Sequence, residues 1–517
     1  MLFSMTADYR RKVKTAEDVR AIVGARPRQK KVVMCHGVFD LVHPGHIRHL
    51  LYAKDKADIL VASLTADVHI TKGNYRPFVP QDLRALNLAA LELVDYVIID
   101  LQATPIENIG CIQPDYFAKG YEYSDGGIPI KTQEEIAALR SYGGEILFTP
   151  GDIVYSSSHL IETDAPDIGL EKLLMLMEAE GLNFDRLRGI VSKWEGKIVH
   201  VVGDTIVDSL THTTMIGGMT KTPTPSVRFE NRVDYIGGAA IVAKHLAAAG
   251  ANAVLSTVLG EDPLKDFVLE GLKESGVRCL PLTEQSRPTT HKNAFVCGDY
   301  RLLKVDVLDN RSITAQQVDQ LSGQIRDVKS DAVVFCDFRH GIFNRRTIPD
   351  LTAAIPPEVF RVADSQVASR WGNILDFKGF HLLTPNEREA RFSLADQDTG
   401  VRPLAEKLHE HAECRTLMLK LGDRGVLTLR MGSGAGDPRS FFIIDSFADK
   451  VVDAVGAGDA MLAYATLALL VDPSEVAASI LGSLAAALEC EVDGNIPIRR
   501  DDLLSRLDSI EKRVRFE

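Results

Sequence analysis

Short apolar runs rich in branched side chains alternate with stretches of helical period along most of the chain. In the first third, KVVMC (31–35), ADILVASL (57–64), YVIID (96–100), DYFAKG (115–120) and GEILFTP (144–150) read as strands. Between them, HIRHLLYAKDKA and DLRALNLAALELV carry apolar residues at helical spacing. Such a succession predicts βαβ units, and hence a parallel sheet covered by helices. Residues 164–196 begin polar and then turn helical, as a linker feeding a helical connector does. A second α/β series starts at KIVHVVGDTIVD (197–208) and runs through AVLSTVLG, DAVVFCDF, HLLTPNE and TLMLKLG to a helical end. Within it, TPSVRFENRVDY and KNAFVCGDYRLLKVDVLD alternate like exposed antiparallel strands, which predicts a small β lid. The expected organisation is an α/β domain over 1–163, a connector over 164–196 and a second α/β domain over 197–517.

Composition narrows the partners. Of 517 residues, 45% are hydrophobic and 25% charged, with a formal net charge of −12. An acidic chain of this kind is not expected to bind nucleic acid or an anionic membrane, although a local pocket can still take small anions. Seven cysteines are scattered singly without a CxxC pair, so neither a zinc site nor a disulfide framework is expected. The stretch MLFSMTADYRRKVKTAEDVR has no sustained apolar segment, and no 18-residue apolar run occurs elsewhere. A cytoplasmic location follows as the expectation.

Two glycine-containing turns carry candidate chemistry. In CHGVFDLVHPGHIRHL, the first strand gives out near Cys35, so the following residues lie at the carboxyl edge of the sheet, where open parallel sheets bind ligands. Pro44 and Gly45 open a helix whose free N–H groups favour an anion. His43 and His46 bracket that turn, so both imidazoles can face one phosphate and donate hydrogen bonds as its charge shifts. In DAVGAGDAM, glycines let backbone amides close on a phosphate at another helix start. Asp459 follows at once. A carboxylate beside an anion hole suits a general base that takes the proton of an attacking hydroxyl.

The first block resembles the nucleotidyltransferases of the HxGH superfamily, and more narrowly the adenylyltransferase half of the bacterial ADP-heptose synthesis enzymes. Supporting stretches are TKGNYRPFVPQDLR (71–84), TPIENIGCIQPDYFAKGYEY (104–123) and GGEILFTPGDIVYSSSHLI (143–161). The resemblance implies a Rossmann-like domain in which His43 and His46 stabilise the reacting phosphates. It implies nucleotide contacts at Gly37, Phe39, Asp40 and Gly45, and basic groups for substrate or triphosphate at Lys72, Arg76 and Lys119. Ser156, Ser157 and Ser158 would offer hydroxyl and N–H bonds to phosphate. His36-Gly37-Val38 stands where the heptose enzymes usually read Asn-Gly-Cys, which leaves the base, ATP or CTP, open.

The second series resembles the ribokinase-like, PfkB-type sugar kinases. VVGDTIVD (201–208), DYIGGAAIVAKHLAAAGA (234–251), LLTPNEREA (382–390), LKLGDRGVLTL (419–429) and DAVGAGDA (453–460) occur in that family's order. The resemblance implies Asp459 as general base and Gly456, Ala457 and Gly458 as the anion hole. It implies Asn386 and Glu389 as organisers of Mg²⁺ through water, and Asp208, Gly237 and Gly238 as the sugar grip. Lys420, Gly422 and Gly425 would lie near ATP, and Lys292 near a substrate phosphate. Two positions depart: Ile241 replaces an Asn that touches sugar hydroxyls, and Asp364-Ser365-Gln366 replaces Asp-Pro-Lys.

Together the chain resembles the bifunctional ADP-heptose synthesis enzymes with the two domains in reversed order. That implies phosphorylation of D-glycero-D-manno-heptose 7-phosphate, then nucleotidyl transfer to an ADP-sugar, in a homo-oligomer, with a dimer favoured. The departures keep open another sugar or polyol phosphate, and CTP in place of ATP. A nucleotide-sensing regulator on retired enzyme domains is the reading of another class; the complete HPGH, NxxE and GAGD sets argue against it. No P-loop GxxxxGK[ST] occurs.

Overall fold

The computed structural model describes residues 7–70, 77–120, 130–149, 169–217, 225–298, 300–367, 372–430 and 440–516. The chain divides into two compact units, residues 1–179 with 432–441, and residues 180–431 with 442–517.

In the first unit, β1 (Val32–Gly37), β2 (Ile59–Thr65), β3 (Tyr96–Asp100), β4 (Tyr116–Gly120) and β5 (Glu145–Thr149) form one sheet in the order β3-β2-β1-β4-β5. Every neighbouring pair is parallel. Val32, Val33, Met34 and Cys35 are wholly buried, as a strand covered on both faces requires. The chain leaves β1 toward β2 on one side, while β4 lies on its other side. The carboxyl ends of β1 and β4 therefore frame the switch point where such sheets take ligands. The strand runs two residues beyond the apolar run, because His36 and Gly37 still pair with Ser63 and Leu64.

The second unit contains β6 (Ile198–Gly203), β7 (Thr205–Gly217), β8 (Ser226–Gly238), β9 (Asn252–Gly260), β10 (Arg278–Glu284), β11 (Thr290–Cys297) and β12 (Tyr300–Val307). It continues with β13 (Ala332–Asp337), β14 (Phe360–Ser365), β15 (Leu382–Leu383), β16 (Thr416–Lys420), β17 (Val426–Arg430) and β18 (Phe441–Ile444). The main sheet runs β10-β9-β6-β13-β14-β15-β16-β17-β18, parallel from β10 to β16 and antiparallel between β16 and β17. A smaller sheet runs β12-β11-β7-β8. It is mixed rather than antiparallel throughout, since β11 pairs with β7 in parallel. The run KIVHVVGDTIVD is not one strand. It breaks at Asp204, whose carboxylate accepts N–H bonds from Phe338 (3.1 Å) and His340 (3.0 Å), and the chain passes there from the main sheet into the lid.

The helices Ala457–Val471 and Glu475–Cys490 are apolar on nearly every side and are buried accordingly. The end of the connector packs on this unit. The helix Phe184–Ser192 is capped by Asn183, its Arg186 forks onto Asp472, and Trp194 is wholly buried edge-on to Tyr464 at 5.5 Å. Trp194→Ala is expected to destabilise this unit by about 3–5 kcal/mol, read as a fall in its denaturant midpoint.

Candidate active site

Beyond β1 the chain turns sharply. Phe39 takes a positive φ of 50° and buries its ring. The helix Pro44–Asp55 then starts, with Pro44 in its first turn and His43 as its cap. The Gly45 N–H donates to His43 Nδ1 at 3.1 Å, so the ring proton of His43 belongs on Nε2. The His43 and His46 rings lie 3.9 Å apart, and the Phe39 ring covers His46 at 5.1 Å. Burial pushes His46 down to about 4, helped by His43 and opposed by the Leu41 carbonyl; burial also lowers His43. At neutral pH the pair therefore offers N–H donors rather than positive charge.

The neighbouring groups are mostly engaged. His36 bonds Ser63 Oγ (2.9 Å) and Thr65 Oγ1 (3.3 Å), and burial, with Lys119 nearby, drives it to about 3. Lys119, on β4 beside the end of β1, is ion-paired with Glu135 and donates to Thr132 Oγ1 at 3.1 Å. The Asp40 carboxylate accepts the N–H groups of Phe78 (3.0 Å) and Val79 (2.8 Å), so it holds a loop in this structure. Gly37 lies where a side chain would press on the Phe39 ring, at 3.3 Å. Lys72, Arg76, Ser156, Ser157 and Ser158 lie outside the described residues. Sequence reasoning missed Arg84. Its guanidinium is wholly buried and donates to the carbonyls of Val38, Thr65 (3.0 Å) and Val79 (2.9 Å) and to Asp67. One arginine thus ties together the loops after β1 and β2 and the approach to the next helix. Only its place in PQDLR, at a helix start, hinted at this.

In the second unit a cleft of ≈ 660 Å³ brings together Asp208, Gly238, Lys292, Asn386, Glu389, Lys420, Gly422, Gly425, Gly456, Ala457, Gly458 and Asp459. Gly237 adjoins it, packed against the Asp208 carboxylate. Gly456, at φ 90°, opens the helix Ala457–Val471 and leaves the next N–H groups directed at the cleft. A side chain there would collide with Asn495 and Glu489. Asn386 and Glu389 form a reciprocal capping box: the Asn386 N–H donates to Glu389 Oε2 (2.7 Å), and the Glu389 N–H donates to Asn386 Oδ1 (2.9 Å). Lys420 Nζ reaches Asp364 at 3.2 Å. Asp364 entered the sequence reading only as part of a departure from the family pattern, and its partner across the sheet was not visible there.

These carboxylates disturb one another. Burial first, then Asp364, raises Asp459 to about 8; Lys420 opposes, while Asp208 and Glu389 add to the rise. Burial raises Glu389 to about 7, with Lys420 pulling down and Asp364 pushing up. Burial works against the charged form of Lys420, yet Asp364, Glu389 and Asp459 outweigh it and raise the ammonium's pKa. Among the described residues, no group of three or more His, Cys, Asp or Glu side chains is set to hold a metal directly. The oxygens of Asn386 and Glu389, in a carboxylate-rich wall, do suit a hard ion that keeps its waters, such as Mg²⁺.

Fold and sites together define a chain of two transferase-type α/β domains, one a parallel nucleotide-binding sheet and the other a lidded kinase body. Residues 199–500 match the family model of the pfkB family carbohydrate kinases, and residues 34–163 match the Cytidylyltransferase-like model. The first match covers more than half of the chain, which belongs to the pfkB carbohydrate kinase family. Bifunctional protein HldE of Pelobacter propionicus is 36% identical over 138 residues, 26% of this chain and 27% of that protein. That of Campylobacter curvus is 42% identical over 119 residues, 23% of this chain and 25% of that protein. The chain thus spans about a quarter of the length of these curated relatives. Crystal structures of Escherichia coli phosphofructokinase-2 share the kinase fold. The one with potassium gives a TM-score of 0.52 at 19% identity, covering 61% of this chain and 99% of that one. No helix among the described residues is long and apolar enough to cross a membrane.

Arg84→Ala would leave three carbonyls and the Asp67 carboxylate without their donor. Chemical unfolding of the variant should show the first unit destabilised by about 3–5 kcal/mol, with Arg84→Lys recovering part of the loss.

Proposed function

We propose that the chain is a cytoplasmic bifunctional enzyme, a sugar kinase and a sugar-1-phosphate nucleotidyltransferase. The observation that carries the kinase half is Asp459 on the cleft wall beside a glycine-opened helix start. In the kinase step, the Asp459 carboxylate takes the proton of a sugar hydroxyl. The hydroxyl oxygen bonds to the γ-phosphorus of ATP, the bond to the bridging oxygen breaks, and ADP leaves. The N–H groups of Gly456, Ala457 and Gly458 hold the transferred group. Lys292, on the lid, faces a substrate phosphate, and Asp208, Gly237 and Gly238 grip the sugar. Lys420, Gly422 and Gly425 contact the nucleotide. Mg²⁺, held through water by Asn386 and Glu389, would offset phosphate charge when bound.

In the second step, an oxygen of the sugar 1-phosphate attacks the α-phosphorus of a nucleoside triphosphate in line, and pyrophosphate leaves. His43 and His46 donate hydrogen bonds to the phosphates, with Gly37, Phe39, Asp40 and Gly45 around the nucleotide and Lys72, Arg76, Lys119 and Ser156 to Ser158 completing the site. The heptose reading takes D-glycero-D-manno-heptose 7-phosphate at O1, then AMP from ATP, to give ADP-heptose. The partial likeness to bifunctional protein HldE supports it. A second reading, a different sugar or polyol phosphate with CTP, is favoured by Ile241 and by the His36 variation.

The chain is proposed to act as a homodimer. Lys292 and Lys304 line the cleft, so the alternate residues on β12, Leu303, Val305 and Val307, project from the other face of the lid. Leu303, Val305 and Val307 are exposed there, Leu303 at 50%, beside the polar Ser209, Thr211 and Asn293 that share the face.

Five outcomes test these proposals. Mass analysis after incubation with heptose 7-phosphate and ATP should give ADP-heptose; its absence removes the heptose reading. Asp459→Asn should cut phosphorylation by about 10²–10⁴-fold while supplied sugar 1-phosphate is still converted. His46→Ala should do the reverse and let sugar 1-phosphate accumulate. Because the base must be ionised and its pKa is raised to about 8, kinase kcat/KM should climb with pH up to about 8 and level above it. Light scattering on the eluting protein should give a dimer mass, and Leu303→Glu should shift it to monomer.

A further inference from the structure

Resting on the kinase reading above, we infer that Asn495 forms a sugar-hydroxyl subsite, its carboxamide reading the substrate between the sugar grip and the anion hole. Asn495 follows the helix Glu475–Cys490 and is 8% exposed, on the wall of the cleft. Its Nδ2 lies 3.1 Å from where a side chain on Gly237 would begin. Its Oδ1 lies 2.7 Å from where one on Gly456 would begin. A single amide therefore spans from the glycine beside Asp208 to the glycine that opens the phosphate-binding helix. On the kinase reading, the sugar with its reacting hydroxyl binds beside that amide, between the Asp208 grip and the helix start.

The amide is held in readiness. Its loop is pinned by the Ile498 N–H donating to His245 Nδ1 (3.1 Å) and by the Tyr464 hydroxyl donating to the Ile498 carbonyl (2.6 Å). The Ile496 N–H turns back to the Gly494 carbonyl at 3.0 Å. Yet Asn495 Oδ1, buried, has no hydrogen-bond partner. A buried amide oxygen without a donor is uncommon and calls for one from a ligand. The nearby Glu489 Oε1 also has no hydrogen-bond partner and lies 2.8 Å from where a side chain on Gly456 would begin, while Oε2 is 4.0 Å from His245 Nε2. A hydroxyl, which donates and accepts through one atom, matches an amide that presents both an acceptor and a donor. Ile241, by contrast, is wholly buried and sends no polar group into the cleft. The amide that reads the sugar thus comes from the far end of the domain sequence.

The test uses the full chain. Wild-type protein is assayed with ATP against D-glycero-D-manno-heptose 7-phosphate, D-fructose 6-phosphate and D-ribose, and the best substrate is carried forward. Asn495→Ala and the volume-keeping Asn495→Leu should each raise KM for that sugar at least 10-fold, leaving KM for ATP and the melting temperature unchanged. For one deoxy analogue, lacking the contacted hydroxyl, variants and wild type should perform alike. An unchanged sugar KM in both variants, or an equal loss on every deoxy analogue, overturns the subsite while the kinase stands. If wild type phosphorylates none of the three sugars, the kinase reading fails and the subsite with it.

Discussion

The kinase cleft depends on one ammonium. Lys420 ends β16 and bonds Asp364 from the end of β14, while Glu389 and Asp459 close in from two helices. Its backbone ties in as well: the Lys420 N–H donates to the Pro385 carbonyl at 2.8 Å, which fixes the start of the NxxE turn. Its Nζ stands 3.1 Å from where a side chain on Gly458 would begin, so the anion-hole helix approaches this closely only because residue 458 has none. Opposite charges at such range in a partly buried site attract by about 4 kcal/mol, and removing one partner leaves the others uncompensated. The end of β16, the Asn386–Glu389 turn and the start of the helix Ala457–Val471 thus meet at the same charge.

The first unit solves the same problem with the opposite economy. The helix start at Pro44 carries two imidazoles that burial keeps neutral, and Asp40 and Arg84 hold the neighbouring loops. Arg84 gathers carbonyls from three segments, and Asp40 gathers two N–H groups from the loop that follows. A neutral His43–His46 pair, its rings 3.9 Å apart, costs little to bury and offers hydrogen-bond donors without requiring a counter-ion. Where the kinase cleft carries acidic charge and Lys420 together on its wall, the buried Arg84 of the first unit serves the scaffold.

Much of this was legible in sequence because it is local. The alternation of apolar runs with helical spacing is enough for two parallel sheets, and HPGH and GAGD do fall at helix starts. What escaped is what depends on distant partners. KIVHVVGDTIVD marks the start of the second α/β series, but nothing local says that Asp204 will be held by Phe338 and His340 and will turn the chain into the lid. Asn495 reads as a loop residue in VDGNIPI, because Gly237 and Gly456, which flank it, are remote in sequence. Arg84 draws no notice in the helical stretch DLRALNLAALELV, because its carbonyl partners are remote in sequence. NxxE reads as a metal motif, and its second identity as a capping box follows from helix geometry at the same residues.

The carboxylate wall also has a thermodynamic consequence. Asp459 is raised to about 8 and Glu389 to about 7 in the folded chain, against about 4 for unfolded carboxyls. The folded state therefore binds more protons than the unfolded state between those values, and its stability falls as pH climbs through that window. The same groups impose no penalty below pH ~4, where both states are protonated. A sequence optimised for stability alone would not keep them. On the proposal that Asp459 is the general base and that Asn386 and Glu389 hold a cation through water, the cost has a use: desolvation strengthens the base, and a cation would satisfy the acids beside it.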